Sequence, residues 1–97
     1  MFNFEGKTVL ITGASYGLGE QFAYSFAEAG ADLILTARSE DLLQNVADTC
    51  REKGSKVTAI TGDVSIEEDV KNVVSTGIEE HGKIDVLVNN AGIADMR

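Results

Sequence analysis

Short apolar runs alternate along this chain with longer stretches in which apolar residues recur every three or four positions. Val9-Leu10-Ile11, Leu33-Ile34-Leu35 and Val86-Leu87-Val88 are continuous rather than alternating, the pattern of parallel strands covered on both faces. A further strand-like run begins near Lys56. Between them, Leu18, Phe22, Phe26 and Ala29, then Leu42, Val46 and Cys50, then Ile66, Val70, Val73, Val74 and Ile78 keep helical spacing and predict three helices with those residues buried. Gly30, Gly54 and Gly82 fall where each helix needs a residue at positive φ to stop, and Lys53 and His81 place a cation in a last turn. Ser39 is placed to cap the second helix, and Ser65 with Glu68 has the spacing of a capping box for the third. Gly77, inside that helix, costs about 1 kcal/mol relative to alanine, which close packing would justify.

The predicted order is β-α-β-α-β-α-β. Right-handed crossovers place the second strand beside the first, the third beyond it and the fourth on the first strand's other side, giving the strand order 3-2-1-4. The order in which strands are added then switches sides between strands one and four, and the loops after Ile11 and Val88 meet at the carboxyl edge of the sheet. The first of these loops is Thr12-Gly13-Ala14-Ser15-Tyr16-Gly17-Leu18-Gly19. Its glycines permit a tight turn and close backbone approach, and the helix start behind it offers free N–H groups to an anion such as a pyrophosphate. Such a charge interaction is worth about 0.3–1 kcal/mol, or ~2 where partly buried.

Composition narrows the partners. The 97 residues are 43% hydrophobic and 25% charged, with a net charge of −8. An acidic chain gains nothing by meeting nucleic acid or an anionic membrane, so a dinucleotide has to be held by backbone dipoles and a few placed cations. With no apolar span long enough for a membrane and no secretory leader at Met1-Phe2-Asn3-Phe4-Glu5, a cytoplasmic location is expected. Cys50 shares a helical stripe with Leu42, Leu43 and Val46 and reads as core. His81 has no second His or Cys beside it, and Glu67-Glu68-Asp69 reads as a solvated helix start, so no metal site is expected. Gly6-Lys7-Thr8 resembles the end of a P-loop but precedes a strand instead of following one.

The glycine loop and a second motif, Asn89-Asn90-Ala91-Gly92, together resemble the short-chain dehydrogenase/reductase family. Thr12, Gly13, Gly17 and Gly19 match its Thr-Gly-x-x-x-Gly-x-Gly pattern, and Asp63-Val64 follows the third strand as in that family. The resemblance covers the whole chain and implies a partial dinucleotide-binding (Rossmann) domain over residues 1–97, a truncated half of a doubly wound α/β fold. It implies a nicotinamide cofactor cradled by Thr12, Gly13, Ser15, Tyr16, Gly17, Leu18 and Gly19. It further implies that Asp63 bonds the adenine amine, Val64 packs on the adenine ring, and Asn90 contacts the nicotinamide-side ribose beside Ala91 and Gly92. Asp63 also has a structural use as the cap of its turn, and Asn89 and Asn90 as loop residues tolerant of unusual backbone angles.

An NAD site of this fold normally carries an acid about 20 residues beyond the glycines, at the end of the second strand. Here that position is Ala37, followed by Arg38. The missing carboxylate removes repulsion toward a 2′-phosphate and Arg38 supplies a planar donor fork for it, so NADP is favoured over NAD. Tyr16 stands where many NADP-binding relatives carry a basic residue, and Ser15 or Ser39 could donate instead. A Rossmann methyltransferase is disfavoured because its ribose-binding acid is missing at the same place.

The family's chemistry uses a Tyr, a Lys four residues on, and a Ser. Tyr16 and Tyr24 are followed at that spacing by Glu20 and Glu28, which raise a phenol's pKa rather than lower it, so no catalytic residue is expected here. The expectation is the N-terminal part of an oxidoreductase that moves hydride between NADP(H) and a carbonyl or alcohol. The alternative is a stand-alone nucleotide-binding or regulatory module. The fourth strand's free edge makes self-association an expected property of the isolated chain.

Overall fold

In the computed structural model, which describes residues 3–90, β1 (Thr8–Thr12), α1 (Gly17–Glu28), β2 (Asp32–Ala37), α2 (Glu40–Glu52), β3 (Val57–Thr61), α3 (Glu67–His81) and β4 (Val86–Asn89) follow one another. The strands form one parallel sheet in the order β3-β2-β1-β4, as the crossover argument requires. Leu10 is in register with Ile34 and Leu87, and Ile34 with Thr58.

One face of the sheet is closed. Val9, Ile11, Leu33 and Leu35 pack there against Ala23 and Ala27 of α1 and Leu43, Val46, Ala47 and Cys50 of α2. Each large apolar side chain so buried contributes roughly 1.5–3 kcal/mol. The other face carries a smaller cluster of Leu10, Ile34 and Val73, with Ile60 and Ile84 against it. This asymmetry corrects the expected burial in three places. In α1 the inner line is Gly19, Ala23 and Ala27, whose small side chains bring the helix close to the sheet; Leu18 is 58% exposed, and Phe22, Phe26 and Ala29 are half-buried. In α2 the inner line includes Leu43 and Ala47, leaving Leu42 exposed. In α3 only Val73 and Gly77 are buried, and Ile66, Val70, Val74 and Ile78 lie open, because α3 covers little of the sheet beyond β2 and β3. β4 is likewise covered on one side only, with Leu87 61% exposed.

Gly77 now has its reason: a Cβ there would stand 2.6 Å from Ile34 Cδ1, so α3 crosses β2 at glycine contact distance. Gly30, Gly54 and Gly82 hold φ of 96°, 104° and 82° where the helices end. The capping box does not form. Ile66 is the N-cap of α3 and Ser65 lies one residue before it, where its hydroxyl meets Asp63 instead of a helix amide. Ser39 occupies the N-cap of α2 without a side-chain cap bond.

Candidate functional site

The carboxyl edge is assembled by register. Thr12 pairs with Thr36 on one side and Asn89 on the other, so the ends of β2, β1 and β4 lie in one row. The Thr12 hydroxyl donates to Asn89 Oδ1 at 3.1 Å, tying β1 to β4 across the reversal point. The glycine loop rises from this row. Gly13 and Gly17 take φ of 62° and 61°, and the Ala14 N–H donates to the Thr36 carbonyl at 3.2 Å, folding the loop over β2.

Gly19 sets how tightly the loop closes on its helix. A Cβ there would fall 1.9 Å from the Gly13 carbonyl oxygen and 2.9 Å from Asn90 Nδ2, so no other residue fits. Asn90, buried, donates from Nδ2 to that same Gly13 oxygen at 3.1 Å. The second motif thereby grips the first. At the start of α1, Tyr16 is extended and contributes no side-chain cap, which leaves the leading amides without a protein acceptor from it. The nearest acid, Glu20, is turned away: its Oε2 accepts the Tyr24 hydroxyl at 2.7 Å. Burial, followed by Glu20, raises the Tyr24 pKa above the usual phenol value, so the partner that does so lies four residues before it and not at Glu28. Tyr16 and Leu18 are exposed beside the loop, and Ser15 is buried within it.

Arg38 is exposed immediately after β2, beside the buried Ala37. At the next strand end, the Gly62 N–H donates to the Ala37 carbonyl at 2.9 Å, bringing Asp63 alongside. Asp63 Oδ1 accepts both the N–H and the hydroxyl of Ser65, at 2.9 and 2.7 Å, and these bonds, with a contribution from Arg38, hold the Asp63 carboxyl below its usual value. Val64 lines a cleft of about 400 Å³ together with Thr12, Thr36, Val73 and Leu87. Ala91 and Gly92 lie outside the described residues.

Sequence reasoning passed over Ser65, Asp69 and Thr36. The first two were visible only as ordinary helix-start residues, and Thr36 as one of a strand's polar positions. Among the described residues no cluster of His, Cys, Asp and Glu is placed to hold a metal ion, and no helix is long and apolar enough to cross a membrane. Burial pushes the Cys50 thiol up to about 11, so it stays protonated and unreactive at neutral pH.

A parallel sheet reversing between β1 and β4, with a glycine loop and an asparagine meeting at that point, defines a nucleotide-binding α/β protein. The family model described as short chain dehydrogenase matches residues 7–97, and the chain belongs to that family. It is 53% identical over 93 residues to 11-beta-hydroxysteroid dehydrogenase-like 4A of Arabidopsis thaliana, covering 95% of this chain and 31% of that protein. It is 51% identical over 89 residues to 11-beta-hydroxysteroid dehydrogenase A of Sesamum indicum, covering 91% of this chain and 26% of that protein. Among solved structures, a short-chain dehydrogenase/reductase from Burkholderia phymatum in complex with NAD superposes with a TM-score of 0.84 at 37% identity, over 90% of this chain and 31% of that one. A hydroxysteroid dehydrogenase from Escherichia coli gives 0.86 at 32% identity, over 90% and 37%. The chain thus spans between 26% and 37% of the length of these relatives.

Proposed function

We propose that this chain is the N-terminal, cofactor-binding part of a short-chain dehydrogenase and that it binds NADP(H) in preference to NAD(H). The observation that carries the reading is the junction of Gly13, Gly19 and Asn90, where two motifs far apart in sequence close a loop over an uncapped helix start. The glycine loop, from Thr12 to Gly19, receives the pyrophosphate on the leading amides of α1. Arg38 receives the 2′-phosphate, Asp63 and Val64 the adenine, and Asn90 with Ala91 and Gly92 the nicotinamide-side ribose. One N–H of Asn90 Nδ2 already serves Gly13, so its part at the ribose falls to the other N–H and to Oδ1.

When bound, the nicotinamide supplies or accepts a hydride; the full-length form would exchange it with a carbonyl or alcohol substrate. The relatives named for 11-beta-hydroxysteroids support a hydroxyl or keto group on a rigid polycyclic skeleton as that substrate. No Tyr in these 97 residues has a Lys four positions on, which supports binding without turnover by the chain as given.

Cofactor choice is the direct test. A charged hydrogen bond is worth about 1.5–3 kcal/mol, so NADPH is expected to bind roughly 10- to 100-fold more tightly than NADH. Arg38→Asp should erase the difference. Dissociation constants for both cofactors, measured on the unmodified chain and the variant, decide it; equal affinities in the unmodified chain reject selection by Arg38.

A further inference from the structure

We propose that Ser65 and Asp69 are positioning residues for base recognition, holding Asp63 so that one carboxylate oxygen is kept ready for the exocyclic amine of adenine. The inference rests on the dinucleotide-binding reading above and deepens it. Asp63 is gripped at both ends. Its side chain is fixed through Oδ1, which takes the Ser65 N–H at 2.9 Å and the Ser65 hydroxyl at 2.7 Å. Its main-chain N–H donates to Asp69 Oδ2 at 2.9 Å, and its carbonyl accepts the Ile66 N–H at 2.9 Å. Oδ2 of Asp63 receives no hydrogen bond from the described residues, so the turn presents one free acceptor rather than a rotating pair.

The anchor behind this grip is a helix start: Asp69 sits in the first turn of α3, and its bond from the Asp63 N–H ties that turn to the end of β3. An unclamped aspartate on a partly exposed turn would have to be ordered by the ligand, which lowers affinity. It would also have a competing partner, because the Arg38 charge already attracts it. The bonds are not simply helix caps: the Ser65 hydroxyl goes to Asp63 and α3 is left without a side-chain cap.

The test uses this chain, NADPH, and the NADPH analogue in which hypoxanthine replaces adenine and the amine becomes a carbonyl oxygen. The unmodified chain is expected to favour the adenine form roughly tenfold. Ser65→Ala and Asp69→Leu should bring the two affinities to within about twofold of each other, while Ser65→Thr and Asp69→Asn, which keep the hydroxyl and an acceptor oxygen, should restore the preference. Circular dichroism checks folding, and if Asp69→Leu unfolds, the loss of a single hydroxyl in Ser65→Ala decides alone. Variants that weaken both dinucleotides equally, with the preference intact, overturn the proposal and leave these residues as structural. An unmodified chain with no adenine preference overturns it by removing Asp63 as the acceptor. A chain that binds neither dinucleotide overturns the underlying function instead.

Discussion

Thr36 shows how a single atom can report on the site around it. Its Oγ1 is buried, with the residue 1% exposed, and has no hydrogen-bond partner among the described residues, while its register neighbour Thr12 donates to Asn89. An unmatched buried hydroxyl costs about 1–3 kcal/mol, and an isosteric methyl removes that cost without opening a cavity. Thr36→Val is therefore expected to stabilise this chain by about 1 kcal/mol, seen as a higher urea midpoint at unchanged slope. A lower midpoint would mean that the hydroxyl is satisfied. The glycines of the loop were legible because backbone angle and contact distance select the residue type directly: φ near 60° at Gly13 and Gly17 strongly favours glycine, and 1.9 Å at Gly19 admits nothing else. Ser65 was not, because its spacing to Glu68 satisfies a capping box on paper while the helix starts one residue later, with Ile66 as N-cap, and the Ser65 hydroxyl donates to Asp63 Oδ1.

At the scale of elements, periodicity identified each helix but could not say how much sheet lay beneath it. α3 has two apolar lines, Val73 with Gly77 and Ile66 through Ile78, and which one is buried depends on what covers β4, a question no local window contains. The far end of α3 is tied down by polar contacts instead: His81 Nε2 and Thr58 Oγ1 are hydrogen-bonded at 2.9 Å, and Lys56 Nζ donates to the Glu80 carbonyl. Burial, then Lys56, lower the His81 pKa, against smaller opposing effects of Asp32 and Glu80. The folded state therefore prefers neutral His81. That contribution to stability is fully present above the ordinary histidine value of about 6.5 and is lost as pH falls below it toward the folded value. Urea midpoints should drop across that interval, and His81→Gln should flatten this part of the profile. A drop of the same size in the variant would assign it to other groups.

For the molecule as a whole, the strand order was legible because handed crossovers leave few alternatives once the strands are known to be parallel. What the pattern of Val86-Leu87-Val88 concealed is that a doubly apolar strand can still be open on one side. Among the described strands β4 pairs only with β1, and Leu87, Val70 and Val74 flank the cleft beside that unpaired edge. Two forces then oppose each other in solution. Apolar surface and an open edge favour association, while a net charge of −8 keeps copies apart. Salt shortens the reach of the repulsion to about 10 Å at 0.1 M and ~3 Å at 1 M and leaves the apolar attraction in place. Self-association of this chain is therefore expected to increase with ionic strength, and Leu87→Glu, which puts charge on the exposed face, should suppress it. Light scattering across a salt series decides the matter: an unmodified chain that stays monomeric at high salt, or a Leu87→Glu variant that associates equally well, would show that this face does not drive assembly.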